Sequence, residues 1–484
     1  MDKLVYDKLY IGGEWVAPQS TDTIEPVSAS TEELLGKVPH AGEADVDRAV
    51  TSARAAFDDP SGWAHWPASR RAEVMRRFAA SLESRAEEMV RRISGQNGMP
   101  VAIGQQLEAV FPAMLLRYYA DLAEGTEVEE RRPGLLGGTT LVRREPIGVV
   151  GAIVPWNFPQ SLAFFKIAPA MAAGCTVVMK PSPETVLDSY LMAEAAEEAG
   201  VPPGVLSIVP GGREIGAYIV EHPKVDKIGF TGSTVAGRAI AQRCGELLRP
   251  VTLELGGKSA AIVLEDADLA SNVENLFSAC LMNNGQTCYA GTRILAPRKR
   301  YDEVVDIFTQ LASSLSVGDA LDPATQIGPM ATAKQRERVE GYIAKGKHEG
   351  ARITTGGGRP NDLGKGWFVE PTILADVDNR TTVAQEEIFG PVLSVIPYDD
   401  VDGAVQLANE VDYGLGGSVF TGDPAKGLDV ARRVQTGTIG INAYLPDPTA
   451  PFGGIKGSGM GRELGPEGLA AYHRIQSVYL DSSQ

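Results

Sequence analysis

The chain has 484 residues, 43% hydrophobic and 22% charged, with a net charge of −17. That length is enough for about three domains and a large core, and the acidity excludes the basic field that nucleic-acid binding needs. Four cysteines (Cys175, Cys244, Cys280, Cys288) are too few for a disulfide framework, and no Cys/His cluster stands at metal-ligand spacing, so we expect a reducing cytoplasm and no metal.

The first sixteen residues scatter charges through the segment and form no apolar signal core. Residues 42–126 carry apolar side chains at helical spacing, the second long stretch stopping at a glycine. The segment 139–159 is rich in β-branched residues and broken by Pro146. From 147 to 234, short apolar runs ("IGVVGAIV", "CTVVMK", "GVLSIVPG", "KIGFTG") alternate with helical stretches. That alternation predicts a parallel sheet covered on both faces, with ligands at its strand ends. A second alternating region runs from about 257 to 445, and the tail after 471 reads as a terminal strand. The longest apolar run, 167–179, is too short to span a bilayer and holds Pro and Gly. A soluble protein without a membrane partner is expected.

Several short motifs have a chemical reading and a plain one. "FTGST" (230–234) suits a phosphate at a strand–helix turn, through Gly232 and Ser233; it also suits a turn with no ligand. "VMKPSPET" (178–185) puts Lys180 at a strand end, as a ribose or phosphate partner or as a solvated lysine. "PWNFP" (155–159) fixes Asn157 between prolines, as an oxyanion donor or a turn cap. "LELGGK" (253–258) offers Glu254 as a general base in an apolar setting or as a turn glutamate. "NNGQTC" (283–288) holds Cys288, a nucleophile or a small buried hydrophobe. None of the five histidines lies near it, so an activating base must come from elsewhere. "GGKS" (256–259) fails as a phosphate loop because its first glycine would fall on Thr252; "GSGMG" (457–461) lacks dinucleotide spacing; no G-x-S-x-G exists.

With "EEIFGPV" (386–392) and "PFGGIKGSGMGREL" (451–464) the motifs run in one order along the whole chain. That order and spacing resemble the NAD(P)-dependent aldehyde dehydrogenase superfamily. The resemblance implies an α/β fold of a Rossmann-type cofactor domain (1–126 and 147–256), an α/β catalytic domain (257–458) and a small β oligomerisation element (127–146 and 465–484). It implies oxidation of an aldehyde to the acid: Cys288 forms a thiohemiacetal, Asn157 and the Cys288 N–H hold the oxyanion, and Glu254 activates water against the thioester. Lys166 and Glu463 match water-ordering and proton-relay positions. Ile153, Pro155, Trp156, Lys180, Gly212, Phe230, Gly232, Ser233, Glu387 and Phe389 match the cofactor contacts. The cofactor expected is NAD. NADP stays open, because Pro183 stands where many NAD-preferring relatives carry a ribose-binding glutamate. Phe158, Leu162, Phe165, Tyr289 and Phe452, with the segment 443–452, match the substrate tunnel; lacking an arginine, they suggest uncharged aliphatic or aromatic aldehydes. A CoA-acylating semialdehyde dehydrogenase is the alternative, disfavoured because those relatives generally lack the glutamate seen here as Glu254. The terminal strands imply a homotetramer, with a dimer as fallback.

Overall fold

The computed structural model describes residues 3–481. Its first sheet is built on five parallel strands, β1 (Val149–Ile153), β2 (Thr176–Lys180), β3 (Leu206–Ile208), β4 (Lys227–Thr231) and β5 (Val251–Glu254). Every residue of β1, β2 and β4 is buried, so helices cover both faces and the strands read as apolar runs without alternation. The spatial order is β5-β4-β1-β2-β3. Succession therefore reverses at β1, and the carboxyl ends of β1 and β4 form the switch point where such sheets bind ligands. Two antiparallel edges went unread in the sequence. A hairpin of Leu9–Ile11 and Glu14–Val16, turned by Gly12 and Gly13 at φ 66° and 86°, extends the β3 side. Gly459–Met460 pairs with β5 on the other side.

The link 255–259 leaves this sheet and enters a second one. There β6 (Ala260–Val263), β7 (Arg293–Pro297), β8 (Thr372–Ala375), β9 (Val392–Tyr398) and β10 (Gly417–Phe420) lie parallel in the order β8-β9-β7-β6-β10. The expected helices of 42–126 form as five, from Glu43–Asp58 to Phe111–Gly125. The core helix Pro159–Ala173 is buried along all 15 residues, as expected of a helix apolar all round. Proline opens it, where no amide hydrogen bond is lost, and Gly174 closes it at φ 96°.

The segments 138–146 and 474–484, expected as strands, pair with each other. Thr139–Pro146 takes His473–Leu480 on one side and Glu129–Pro133 on the other, all antiparallel. Residues 482–484 lie outside the described part, and the segment from 465 starts as a short helix, Gly465–Ala470. Among the described residues no helix is long and apolar enough to cross a membrane.

Gly459 lies at φ 135°, and a β-carbon there would overlap the Leu253 carbonyl of β5. Gly459→Ala is therefore expected to lower unfolding stability by roughly 2 kcal/mol or more, since it adds both backbone strain and a clash at a ladder position. Chemical denaturation followed by tryptophan fluorescence measures this; an unchanged midpoint would show that the Gly459–Met460 edge does not hold β5.

Candidate active site

Cys288 sits at the end of a sharp local reversal. Asn283, Asn284 and Gly285 all adopt left-handed backbone, at φ 54°, 61° and 70°, a conformation that asparagine and glycine accept most readily. The surroundings then lock the loop. Asn284 donates to the carbonyls of Gly98 and Pro329 at 2.8 and 3.0 Å and accepts from Gly328 N–H at 2.6 Å. The Gln286 side chain accepts from Ala331 N–H at 3.0 Å, and its carbonyl accepts from Asn157 Nδ2 at 3.0 Å. Asn157 is itself held from behind: its carbonyl accepts from Asn283 Nδ2 at 3.0 Å and Asn97 Nδ2 at 3.3 Å. One amide hydrogen of Asn157 is thus spent on positioning, which leaves the other for a ligand.

The Gly-Gly pair of the link lets the two sheets meet here. A β-carbon on Gly257 would overlap the Cys288 carbonyl, and one on Gly256 would overlap the Glu387 carboxylate. Gly257 N–H donates to Glu387 Oε1 at 3.0 Å. Glu254, the last residue of β5, is 2% exposed, and neither of its carboxylate oxygens finds a hydrogen bond. A β-carbon on Gly453 would lie 2.6 Å from Glu254 Oε1, so glycine keeps that side of the carboxylate open. Beyond it, Lys166 Nζ donates to Thr231 Oγ1 at 2.5 Å and stands 2.9 Å from Glu463 Oε1. The Lys166–Glu463 contact is close enough for an ion pair but not aligned as a hydrogen bond.

Burial dominates the electrostatics. It lifts the Glu254 carboxyl well above its ordinary range, reinforced by the Glu463 carboxylate and opposed by Lys166. It pushes Glu387 up to about 7 against the pull of Gly257 N–H, Arg338 and Lys258. It raises the Cys288 thiol too, with the charges of Glu387 and then Glu254 adding to the effect. Cys288 therefore rests as a thiol with the carboxyl groups of Glu387 and Glu254 nearby.

Two hollows meet at Cys288. One is a cleft of about 420 Å³ at the switch point, lined by Pro155, Trp156, Gly232, Ser233, Glu387 and Phe389 of the expected cofactor set, together with Asn157. Trp156 and Phe389 meet edge to face there, 5.4 Å between centroids, with Phe389 held at φ 63°. Ile153 and Phe230 instead sit buried in the core behind the cleft. Lys180 is buried at the end of β2, donating to the carbonyls of Pro181 and Gly211. Gly212 gives its N–H to His40 and Glu214. The other hollow is apolar, about 50 Å³, and all five expected tunnel residues (Phe158, Leu162, Phe165, Tyr289, Phe452) line it. Leu107 and Phe111 complete the wall unread; nothing in their local pattern separates a tunnel face from a core face. Glu184, Thr332, Lys334, Gln335 and Arg338 of the cleft were likewise unread, since only Glu184 lies inside a recognised motif. The core helix supplies Leu162 and Phe165 to the tunnel, its N-cap residue Phe158 joins them, and Lys166 reaches Glu463. Its first turn is capped by Glu108, which accepts from Gln160 and Ser161 N–H at 2.8 and 3.3 Å.

The cleft fits a dinucleotide. It lies beside the N-terminus of helix Thr234–Glu246, whose N-cap is Ser233, an arrangement suited to a pyrophosphate, and its volume is ordinary for a small-molecule site. A parallel sheet with such a cleft opening onto a thiol defines an α/β enzyme of the dinucleotide-dependent class. The model of the aldehyde dehydrogenase family matches residues 15–478, and the chain belongs to that family, as an oxidoreductase acting on aldehydes. It is 58% identical to geranial dehydrogenase of Castellaniella defragrans over 98% of this chain and 99% of that protein. It is 40% identical to a Pseudomonas 3-succinoylsemialdehyde-pyridine dehydrogenase over 98% of each chain. Among solved structures it resembles a Mycobacterium tuberculosis aldehyde dehydrogenase complexed with NAD+, with TM-score 0.97, 49% identity and 100% of both chains covered. It also resembles a cysteine-to-alanine variant of Pseudomonas syringae aldehyde dehydrogenase C with NAD+ and octanal, with TM-score 0.94, 39% identity and 98% and 96% of the two chains covered.

At pH 9 Glu387, with its pKa of about 7, is ionised and opposes the Cys288 thiolate. Glu387→Gln should therefore lower the thiol pKa and speed alkylation of Cys288 by iodoacetamide by about threefold to tenfold, as the thiolate fraction grows. Peptide mass mapping separates Cys288 from the buried Cys175, Cys244 and Cys280. A rate unchanged or slower in Glu387→Gln would contradict this electrostatic account.

Proposed function

We propose that this chain oxidises uncharged, apolar aldehydes with NAD, using Cys288 as nucleophile. The observation that carries the reading is that one thiol borders both the nucleotide-sized cleft and the apolar tunnel. The cleft residues would hold the dinucleotide, with Glu387 on the nicotinamide ribose and Phe389 and Trp156 beside the ring. When bound, the oxidised nicotinamide supplies the hydride acceptor. The Cys288 proton passes to Glu254, whose carboxylate burial makes more basic than a solvated one. Sulfur adds to the aldehyde carbon, and the free Asn157 amide hydrogen and the Cys288 N–H bind the oxyanion. Loss of hydride leaves a thioester on Cys288. Once it has shed that proton, Glu254 takes another from water on the side that Gly453 keeps open; the hydroxide adds to the thioester carbon, and the leaving thiolate takes the proton back, freeing the acid and the thiol. Lys166 and Glu463 order the path by which Glu254 sheds its proton.

The tunnel lining holds aromatic and aliphatic side chains with the hydroxyls of Ser161 and Tyr289, the Cys288 thiol and no charged group. That favours chain-like aldehydes such as geranial or octanal, on which the names of relatives bear, over aldehydes that carry a carboxylate. The test is NADH formation with geranial, octanal and succinic semialdehyde, with and without CoA. The two apolar aldehydes should exceed the semialdehyde by about tenfold or more in kcat/KM, and Cys288→Ala should abolish turnover. Retained activity in Cys288→Ala would remove Cys288 from the mechanism. Glu254→Gln should slow steady-state turnover by roughly 10²–10⁴-fold through deacylation; near-normal turnover without CoA would remove Glu254 as the base.

The first sheet with helices 42–126 constitutes the cofactor domain in this reading, the second sheet the catalytic domain, and the three-stranded sheet the oligomerisation element. The last of these exposes Ile475 and Tyr479, and its hairpin tip carries Leu135 and Leu136 fully in solvent. Such a surface suits pairing with other copies. We place the protein in the cytoplasm as a homotetramer, a dimer being the smaller assembly. Light scattering at micromolar protein should give four times the chain mass of 51.4 kDa, or twice it for the dimer; a monomer would overturn this assignment.

A further inference from the structure

We propose that Glu108 positions the tunnel for long aldehyde chains: from behind the wall its carboxylate ties the outer residues Leu107 and Phe111 to the first turn of the core helix, which carries inner ones. This rests on the reading of the tunnel as the seat of apolar aldehydes.

Exposure divides the tunnel. Phe158, Leu162, Phe165, Tyr289 and Phe452 are buried, whereas Leu107, Phe111 and Pro446 are half-buried and Leu445 is exposed, which marks their end as the mouth. Leu107 belongs to the turn between helices Val101–Gln106 and Phe111–Gly125, and Phe111 opens the second helix. Glu108 stands between them in that turn, 1% exposed. Phe111 N–H donates to the Leu107 carbonyl at 2.9 Å, so both wall residues move with the turn. The core helix has no side-chain acceptor at its N-cap, Phe158. Its second and third residues, Gln160 and Ser161, give their N–H groups to Glu108 instead, at 2.8 and 3.3 Å. Ser161 itself lines the tunnel. The carboxylate is thus a direct polar tie between the turn at the mouth and the helix of the inner wall.

The helix end of this tie is fixed independently. Gln160 Nε2 donates to Asp188 Oδ2 at 2.6 Å, and Gln96 Nε2 donates to Asp188 Oδ1 at 3.3 Å. Gln96 Oε1 accepts from the N–H groups of Val186 and Leu187, both at 2.9 Å. Asn157 keeps its own ties to Asn97 and Asn283. Glu108 and Asp188 are two buried carboxyl groups that oppose each other's charge, an arrangement that costs stability. An apolar side chain would pack at lower cost; a carboxylate offers acceptors to two consecutive N–H groups and a charge to a helix N-terminus. A short aldehyde ends among the buried residues beside Cys288, and only a longer chain reaches Leu107 and Phe111. Loosening the tie therefore shifts the mouth, while the inner wall stays packed in the core.

The test is the ratio of kcat/KM for octanal to that for propanal, measured with NAD at about pH 9, where Glu108 is ionised although burial pushes it up to about 7. Wild type, Glu108→Gln, Phe111→Ala and the double variant are compared, with folding checked by thermal melting. Wild type should prefer octanal by about tenfold or more, because the longer chain buries more apolar surface. Glu108→Gln keeps the shape but turns an amide donor toward one of the two N–H groups. It should lower the ratio by roughly fivefold to tenfold, through the octanal KM rather than kcat. Glu108→Asp, which shortens the tie, should do the same and serves if the glutamine variant does not fold. Phe111→Ala should lower the ratio too, and the double variant should lose less than the two single losses combined, because Glu108 acts through that wall. An equal fall for both aldehydes in the Glu108 variants, or losses that simply add in the double variant, would overturn the proposal and leave Glu108 as a support of the fold. Wild type oxidising neither aldehyde would overturn the tunnel reading on which it rests.

Discussion

The site depends on how closely two sheets approach at Gly256 and Gly257. The link 255–259 is the seam between them. Without side chains, the backbone after Glu254 lies against the Cys288 carbonyl while Glu387 fills the space beside Gly256. Any β-carbon would force the segments apart. One buried carboxyl at the end of β5, a thiol in the loop before β7 and a second carboxyl before β9 thereby converge, though they are far apart in sequence. The seam also determines that the cleft and the tunnel share a boundary at Cys288.

That convergence excludes water, and exclusion sets the chemistry. The same burial raises Glu254, Glu387 and Cys288 together. A buried carboxylate that resists ionisation is a better proton acceptor near neutrality than a solvated one. In the proposed mechanism this is how a thiol with no histidine nearby loses its proton. Burial raises the Cys288 thiol, which keeps the resting sulfur protonated.

One helix joins the tunnel to the buried Lys166–Glu463 pair. Pro159–Ala173 faces the tunnel with Leu162 and Phe165 and reaches Glu463 with Lys166, one position on. Buried on all sides, it has no water to satisfy its first amides, and Glu108 does so from a distant helix turn. Its rigidity is thus a tertiary property, and through Phe158 it passes to Asn157, the oxyanion donor of the proposed mechanism.

Local pattern was sufficient for the parallel strands, because burial on both faces leaves a continuous apolar run that can be read in place. Motif order was likewise sufficient to single out Cys288, Glu254, Asn157 and Glu387, which the fold brings together around the cleft. The antiparallel edges were not legible: Leu9–Ile11 and Gly459–Met460 are two or three residues long and carry too little periodicity to register. Leu107, Phe111 and Glu108 read as ordinary helix residues, because a tunnel wall and a core wall use the same side chains. The sequence by itself determined the parallel strands and the candidate reactive groups, whose signals are local. Tertiary structure alone decided which groups share a cavity, which carboxylates lose their water and which residues line the cleft, because those are distances between segments far apart along the chain.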